Sequence, residues 1–472
     1  MSKNPDAPGD EDLESFEARR TESIRGWIEK HLGGEPGAVQ RLDRWRPLWK
    51  AEYTKDGEDK AVLVRGDRPI AAVRSLEYEM HVMQALEKNG IKVPPIHGWM
   101  DFPKAFVMDW IETEDRAPGM LHTAIENPTT MDDERWQAML GYMDHLAEMH
   151  TLPVSEFTHI EGFPDPKTPR EIALSSTDLI YEAGVRAGLI DAPLEFLQAW
   201  LVRNVPEHRT KAHFVTGDAG QFMSAGTDVI ALLDFEIAFA GDTHWDLACF
   251  RGRHPYENMG DIPALYRRYA EASGTEVDLP VVAYHTVSFL QFAAIAAVFF
   301  MEPDARGANW IEGILEYSSI SRRALEAIAE LQGIELDYDL HLPEPRTDFI
   351  DESALGKLSV DIEHLPTSEA FLPWERELLG AIPKFLLNRA RYQRWFEDEA
   401  VADIARVTGQ SHDSLAEADD ALRAVIAEND PARDEALVQI FHRRILRLSM
   451  IIAGTDPNDE NPLFYKLDPI LG

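Results

Sequence analysis

Apolar residues recur at helical spacing at Leu13, Phe16, Ile24, Ile28 and Leu32, and Gly33-Gly34 ends the run. The pattern predicts one amphipathic helix near the N-terminus. The ten residues before it carry Pro, Gly and Asp without an apolar period and read as disordered. From about residue 38 the pattern shortens. Lys60-Ala-Val-Leu-Val-Arg65 is a compact apolar run behind a turn signal at Asp56-Gly57. Ser75 to Asn89 places Met80, Met83 and Leu86 on one side of a helix. Val93-Pro-Pro-Ile96 and Ala105 to Ile111 read as two more strands. Strand, strand, helix, strand, strand predicts a small antiparallel sheet with one packed helix. Glu112 to Pro118 is polar and reads as a hinge.

Residues 119–340 are mostly helical in pattern, with Trp136, Leu140, Met143, Leu146 and Met149 on one period. The exception is His213 to Phe250. It holds two short apolar runs, His213–Thr216 and Val229–Leu233, each leading straight into an aspartate. Strand ends of this kind deliver side chains into clefts. Val287 to Phe300 is the most apolar stretch, but 14 residues with one Gln inside are too few to cross a bilayer and fit a buried helix. His341 to Thr347, rich in Pro and charge, reads as a linker. Beyond it, Trp374–Tyr392, Ser414–Glu428 and Asp434–Ala453 read as helices, without a repeat or sustained heptads.

Composition narrows the function. The formal net charge of -37 repels nucleic-acid phosphates and anionic lipid, so neither is an expected partner. With 44% hydrophobic and 27% charged residues the chain can build an ordinary core. Its 472 residues predict two or three domains. The lone Cys249 excludes an internal disulfide and a cysteine-rich zinc site, and favours a reducing, cytoplasmic location. His244, His254 and His285 are scattered singly and predict no transition-metal site. No Gly-x-Ser-x-Gly, GxGxxG or Walker A motif is present. Asp456 to Asn461 lacks the Gly and Glu of a calcium loop.

The chemistry concentrates in Val215-Thr-Gly-Asp218-Ala-Gly-Gln221, then Ala231-Leu-Leu-Asp234-Phe-Glu236, then Gly241-Asp242-Thr-His-Trp-Asp246-Leu-Ala. Phosphoryl transfer from ATP to a hydroxyl needs a carboxylate to orient and deprotonate the acceptor, and oxygen ligands for Mg2+. Asp218, Gln221 and Asp234 supply that set.

This arrangement resembles the aminoglycoside phosphotransferase and choline kinase superfamily, a branch of the protein-kinase-like fold. The resemblance runs over roughly residues 35–340. It implies that Asp218 is the catalytic base and that Asp234 chelates Mg2+, with Gln221 in place of the family's Asn. It also implies that Arg65 meets nucleotide phosphates, held by Glu79. The phosphate-covering loop falls near Trp45-Arg-Pro-Leu-Trp49, without a glycine, and Arg46 adds charge there. Ala105-Phe-Val-Met-Asp-Trp110 corresponds to the hinge strand, so Met108 and Trp110 are the expected adenine neighbours. Thr216 replaces the motif His, and Arg65 replaces Lys. Arg251 and Arg253 are candidates for an anionic substrate, with a surface ion pair as the equal alternative. Asp242 and Asp246 read as an N-cap and a loop anchor, and Glu236 as a ligand or a supporting residue.

The resulting expectation is an α+β chain. A tail and helix over 1–34 precede a bilobal protein-kinase-like fold, with a small antiparallel sheet lobe over 35–115 and a larger helical lobe over 116–345. A C-terminal α-helical domain follows over 350–472. The expected activity is ATP- and Mg2+-dependent phosphorylation of a small-molecule hydroxyl. The hydroxyacyl-CoA kinase branch is the nearest in resemblance. Glu377-Leu-Leu-Gly-Ala-Ile382 and Ile445 to Gly454 resemble a helical protein that accompanies such kinases. Two alternatives stand beside it: a kinase of a cationic antibiotic or amino alcohol, which the net charge would steer inward, and a pseudokinase scaffold that binds a partner.

Overall fold

The computed structural model describes residues 13–42, 46–68, 73–113, 131–301, 310–366, 371–453 and 466–471. The disordered reading of the first ten residues, Trp45, most of the expected hinge and the Asp456–Asn461 segment lie outside the described residues. The chain divides into two compact units: Met1–Asp165 with His213–Ala240 and Arg267–Thr275, and Pro166–Ala212 with Gly241–Tyr266 and Glu276–Gly472. The described elements are α+β, as expected.

The first unit opens with α1 (Leu13–Leu32), β1 (Glu35–Arg41), β2 (Leu48–Lys55), β3 (Glu58–Gly66), α2 (Leu76–Lys88), β4 (Ile96–Met100) and β5 (Ala105–Asp109). The five strands form an antiparallel sheet in the order β1-β2-β3-β5-β4. Strand β1 carried no clear pattern in the sequence. Strand β4 lies at Ile96–Met100 rather than at Val93–Ile96. Pro94 and Pro95 have no N–H to give to a ladder, so pairing starts only after them. Helix α2 is closed at both ends by its own sequence: the Ser75 hydroxyl accepts from Tyr78 N–H, and Asn89 caps the other end.

Side-chain alternation sorts this sheet into two faces. Trp49 and Ala51 of β2, Val62 and Val64 of β3, and Ala105 and Val107 of β5 pack with Ile24, Trp27 and Ile28 of α1 in one core. Trp27 Nε1 also donates to the Trp99 carbonyl at 3.0 Å. Helix α1 therefore seals one face of the sheet. Arg65 and Leu63 alternate out of step with Val62 and Val64. Phe106 and Met108 pair with them in register and share the opposite face.

The same unit continues with α3 (Asp133–His150), β6 (His213–Val215), β7 (Phe222–Ala225), β8 (Asp228–Leu232) and β9 (Phe239–Gly241). Strands β7 and β8 form a hairpin and β6 pairs with β9. Tyr142 of α3 stacks on Phe222 at 5.0 Å, and His213 bonds the carbonyl of His150 at 3.0 Å. The hairpin is tied to the larger sheet's connection by Leu232 N–H to the Lys92 carbonyl, 2.7 Å.

The second unit is helical: α4 (Pro169–Ala187), α5 (Ala192–Arg203), α6 (His244–Glu257), α7 (Ile262–Ser273, which crosses into the first unit), α8 (Leu279–Phe299), α9 (Trp310–Gln332), α10 (Phe349–Glu363), α11 (Phe371–Thr408), α12 (Leu415–Ala427) and α13 (Asp434–Ile452). By length and composition α8 is apolar enough to cross a membrane, but its apolar window is 83% buried as a core helix. The C-terminal helices share a core with α9: Ile311 and Leu315 pack with Phe385 and Phe396 of α11 and with Ile451 and Ile452 of α13. Phe196 of α5 meets Phe441 of α13 at 5.7 Å.

Candidate active site

Strand β6 ends at Val215 and is followed by Thr216-Gly217-Asp218. Gly217 has φ +84°, and a Cβ there would lie 2.4 Å from the Ile237 carbonyl oxygen. Only glycine allows this close passage of two backbones. It sets Asp218 beside the segment that follows β8. Two residues past β8, Asp234 adopts φ +63°, a left-handed conformation uncommon outside glycine but open to Asp. Gln221 is anchored to that segment through its carbonyl, which accepts from Leu233 N–H at 3.0 Å. Its side-chain amide donates to Asp218 Oδ2 at 3.0 Å. Asp218, Gln221 and Asp234 are thus assembled from two strand ends, and all three are partly exposed.

Arg65 faces this group from β3. Its Nη2 lies 2.8 Å from Glu79 Oε1 and 2.9 Å from Asp234 Oδ1, and its Nε donates to Glu79 Oε2 at 3.0 Å. Glu79, in the first turn of α2, is only 1% exposed and also accepts from Arg46 Nη1 at 3.2 Å. Glu236 is held by Arg46 and Arg68, with Arg65 Nη2 at 3.6 Å. The Tyr78 hydroxyl, on α2, donates to the Ala238 carbonyl and joins the helix to the same segment. Among the described residues, three guanidiniums therefore face three carboxylates.

The charges shape one another. Burial pushes the Glu79 carboxyl up against the pull of Arg65 and Arg46. Burial and the neighbouring Glu236 carboxylate push Asp234 up. Burial works against the Glu236 anion too, but Arg46, Arg68 and Arg65 overcome it and hold Glu236 down at about 2. Burial disfavours the Arg65 cation, yet Glu79, Asp234 and Glu236 more than offset this and raise it above its ordinary value. Burial and the adjacent Arg65 charge lower Arg46. Oxygens of Glu79, Asp234 and Glu236 all fall within 4.8 Å of one another. Hard carboxylate and amide oxygens at Asp234 and Gln221 fit Mg2+, which takes few protein ligands and keeps its waters.

Met108 is buried on the same sheet face as Arg65. Strand β5 is paired on both edges, and the Asp109 and Trp110 amides go to the carbonyls of Pro95 and Ala61. The backbone that follows the paired strand is Ile111 to Thr113, where the Thr113 hydroxyl donates to the Ser224 carbonyl at 2.6 Å. The Trp110 ring lies under Lys50, 4.8 Å away.

Two residues expected at a substrate are committed elsewhere. Arg251, 2% exposed, is held by Glu330 and by the Asp468 carbonyl, and Arg253 by Glu257 at 2.6 Å. These buried guanidiniums neutralise internal carboxylates, so the pairs are not the surface ion pairs of the alternative reading. Asp242 is buried rather than a simple cap. It takes both arms of Arg209, at 2.7 and 2.9 Å, and the His244 N–H at 3.0 Å. Arg68 escaped the sequence reading. It follows Arg65 by three positions at a strand exit, and nothing local signals that it turns onto Glu236.

The family model for the phosphotransferase enzyme family matches residues 49–285, half of the chain, and includes every residue of this cluster except Arg46. The chain belongs to the phosphotransferase enzyme family. Among curated protein sequences none matches it. Among solved structures, a macrolide 2'-phosphotransferase type I is similar at 18% identity and TM-score 0.47, over 64% of this chain and 96% of that one. A thermostable mutant of an aminoglycoside phosphotransferase, in ternary complex with ADP and hygromycin B, is similar at 12% identity and TM-score 0.43, over 64% and 98%. A Plasmodium vivax ethanolamine kinase is similar at 11% identity and TM-score 0.42, over 60% and 81%. At these scores the likenesses add nothing to the family assignment. Family membership makes the chain a phosphotransferase of the kinase type with a protein-kinase-like fold.

Proposed function

We propose that this phosphotransferase moves the γ-phosphoryl group of ATP onto a hydroxyl of a small molecule. The observation that carries the reading is the convergence of Asp218, Gln221 and Asp234 on the Arg65–Glu79 pair. Asp218 orients the acceptor hydroxyl and accepts its proton as the oxygen attacks phosphorus. Gln221, bonded to Asp218, fixes the rotamer of that carboxylate. Asp234 and the side-chain amide oxygen of Gln221 are the groups that would hold Mg2+, which supplies charge neutralisation on the phosphates. Arg65, oriented by Glu79, neutralises charge on the phosphates. Backbone after Trp110 receives the base. Placement and fixed charge, rather than covalent chemistry, carry such a reaction.

The leading acceptor class is a hydroxyacyl-CoA or related hydroxy acid, resting on the resemblance of both the kinase-like region and the C-terminal helices. A second class is favoured by one observation: the net charge of -37 draws cations, which suits a cationic antibiotic or an amino alcohol. The test is turnover of Mg-ATP against hydroxyacyl-CoAs, aminoglycosides and choline-like alcohols, with the phosphorylated product identified by mass. Product from one class names the substrate. Failure to bind Mg-ATP at all favours the scaffold reading over the enzyme.

A further inference from the structure

We infer that Glu236 occupies the seat of the nucleotide's phosphates as an internal anion, and that Arg68 is a third phosphate-binding cation beside Arg65 and Arg46. The inference rests on the nucleotide-dependent reading above and deepens it.

The geometry is that of an anion held by a cradle. Guanidiniums from three separate chain positions close on one carboxylate: Arg46 before β2, Arg65 at the end of β3, and Arg68 beyond it. Glu79 and Asp234 already neutralise Arg65, at 2.8 and 2.9 Å. Arg46 shares Glu79 with it at 3.2 Å. Glu236 is thus the carboxylate on which all three cations meet. Planar guanidiniums in this number match the oxygens of a polyphosphate better than one carboxylate does, because each presents paired donors to an anion. Arg68 stands at the rim, with 17% of its side chain exposed, and Arg46 inside, with 5%. The cradle therefore has an inner arm and an outer arm.

An arriving polyphosphate competes with Glu236 for the same donors. The carboxylate is tethered only through its own side chain and the turn after β8, so it leaves by rotating its χ angles. The cradle is then closed by an internal ligand when empty and never presents three bare cations in a desolvated pocket. The cost is a weaker grip on the phosphates. Arg68 offsets part of it with a guanidinium that no Walker or glycine-rich loop supplies in this chain.

The test uses inorganic tripolyphosphate in EDTA, so that metal ligation by Glu236 does not enter. Binding to the full chain is measured by calorimetry for the wild type, Glu236→Gln, Arg68→Gln and the double variant. Glu236→Gln removes one negative charge at near-contact range with little change of shape, so tripolyphosphate affinity is expected to rise by at least about tenfold. Arg68→Gln is expected to lower it severalfold in both backgrounds. Circular dichroism and the unfolding midpoint control for the fold, and Arg68→Lys restores charge without the fork. Unchanged or weaker binding by a folded Glu236→Gln overturns the inference and makes Glu236 a scaffold for the arginines. Mg-ATP binding to the wild type is measured alongside. Its absence refutes the nucleotide reading, while tripolyphosphate still reports on the cradle itself.

Discussion

The Arg65–Glu79 pair offers a direct energetic test. Arg65 reaches Glu79 through one hydrogen bond at 3.0 Å and an ion-pair contact at 2.8 Å, with side-chain exposures of 13% and 1%. Replacing Glu79 with Leu strands two buried guanidiniums, though Asp234 and Glu236 remain to hold them. Removing one partner of a buried pair costs about 3–5 kcal/mol, and the remaining carboxylates bring the expected loss to the lower end of that range. Arg65→Met leaves Glu79 with Arg46 at 3.2 Å, so it costs somewhat less. In the double variant neither partner is left uncompensated by the other. One charge-assisted bond at about 1.5–3 kcal/mol, with a second close ion-pair contact and partial replacement in the single variants, predicts a coupling energy of about 1–3 kcal/mol. Urea unfolding of the four proteins at pH 7 measures it. A cycle that closes to within about 0.5 kcal/mol would mean the two residues act independently and would refute the reasoning.

Three further outcomes follow from particular positions. Burial opposes the Asp242 anion, but the nearby His244 and His285 rings and the Arg209 guanidinium hold its carboxyl well below its ordinary value. A lowered folded value stabilises above the unfolded pKa and is lost as pH falls through the folded one. Asp242→Asn should therefore cost about 2–4 kcal/mol at pH 7, with the gap to wild type narrowing only below about pH 4. A gap that closes between pH 7 and 5 in urea titrations contradicts this. Gly217→Ala should cost more than about 1 kcal/mol, because φ is +84° and its new Cβ would meet the Ile237 carbonyl at 2.4 Å. It should depress transfer as well, since Asp218 follows directly; wild-type stability would remove the close passage from the account. Ile28→Ala should cost about 2–5 kcal/mol if α1 is integral to the sheet, as its fully buried side chain indicates. A loss below about 0.5 kcal/mol would show α1 to be dispensable.

Local rules carried much of this architecture. Ser75 and Asn89 bracket α2 as its pattern predicts, and Ser414 caps α12. The runs before Asp218 and Asp234 are strands because a few β-branched and apolar residues end at Gly or Asp turns. Strand β7 escaped because Phe222–Ala225 carries only four residues and pairs through a hairpin turn at Gly226. Prolines displaced β4 from its apolar run. The charged residues were the least legible. Arg251 finds Glu330 and Asp468, 79 and 217 positions away, and no local pattern encodes such a match. Glu236 could be located beside Asp234, but its three arginines come from another part of the chain. Sequence reading thus placed Asp218 and Asp234 just past strand ends, where the structure has them, and missed the arginines that meet Glu236 and the carboxylate that meets Arg251.

The central claim is that Asp218 serves the chemical step and not the binding of nucleotide. The most direct measurement compares wild type with Asp218→Asn, by calorimetry of Mg-ATP binding and by single-turnover transfer of the γ-phosphoryl group to an acceptor that wild type uses. The account predicts that Mg-ATP binds both proteins within a few-fold while transfer falls by about 10²–10⁴ in the variant. Transfer at the wild-type rate by a folded Asp218→Asn protein would contradict it.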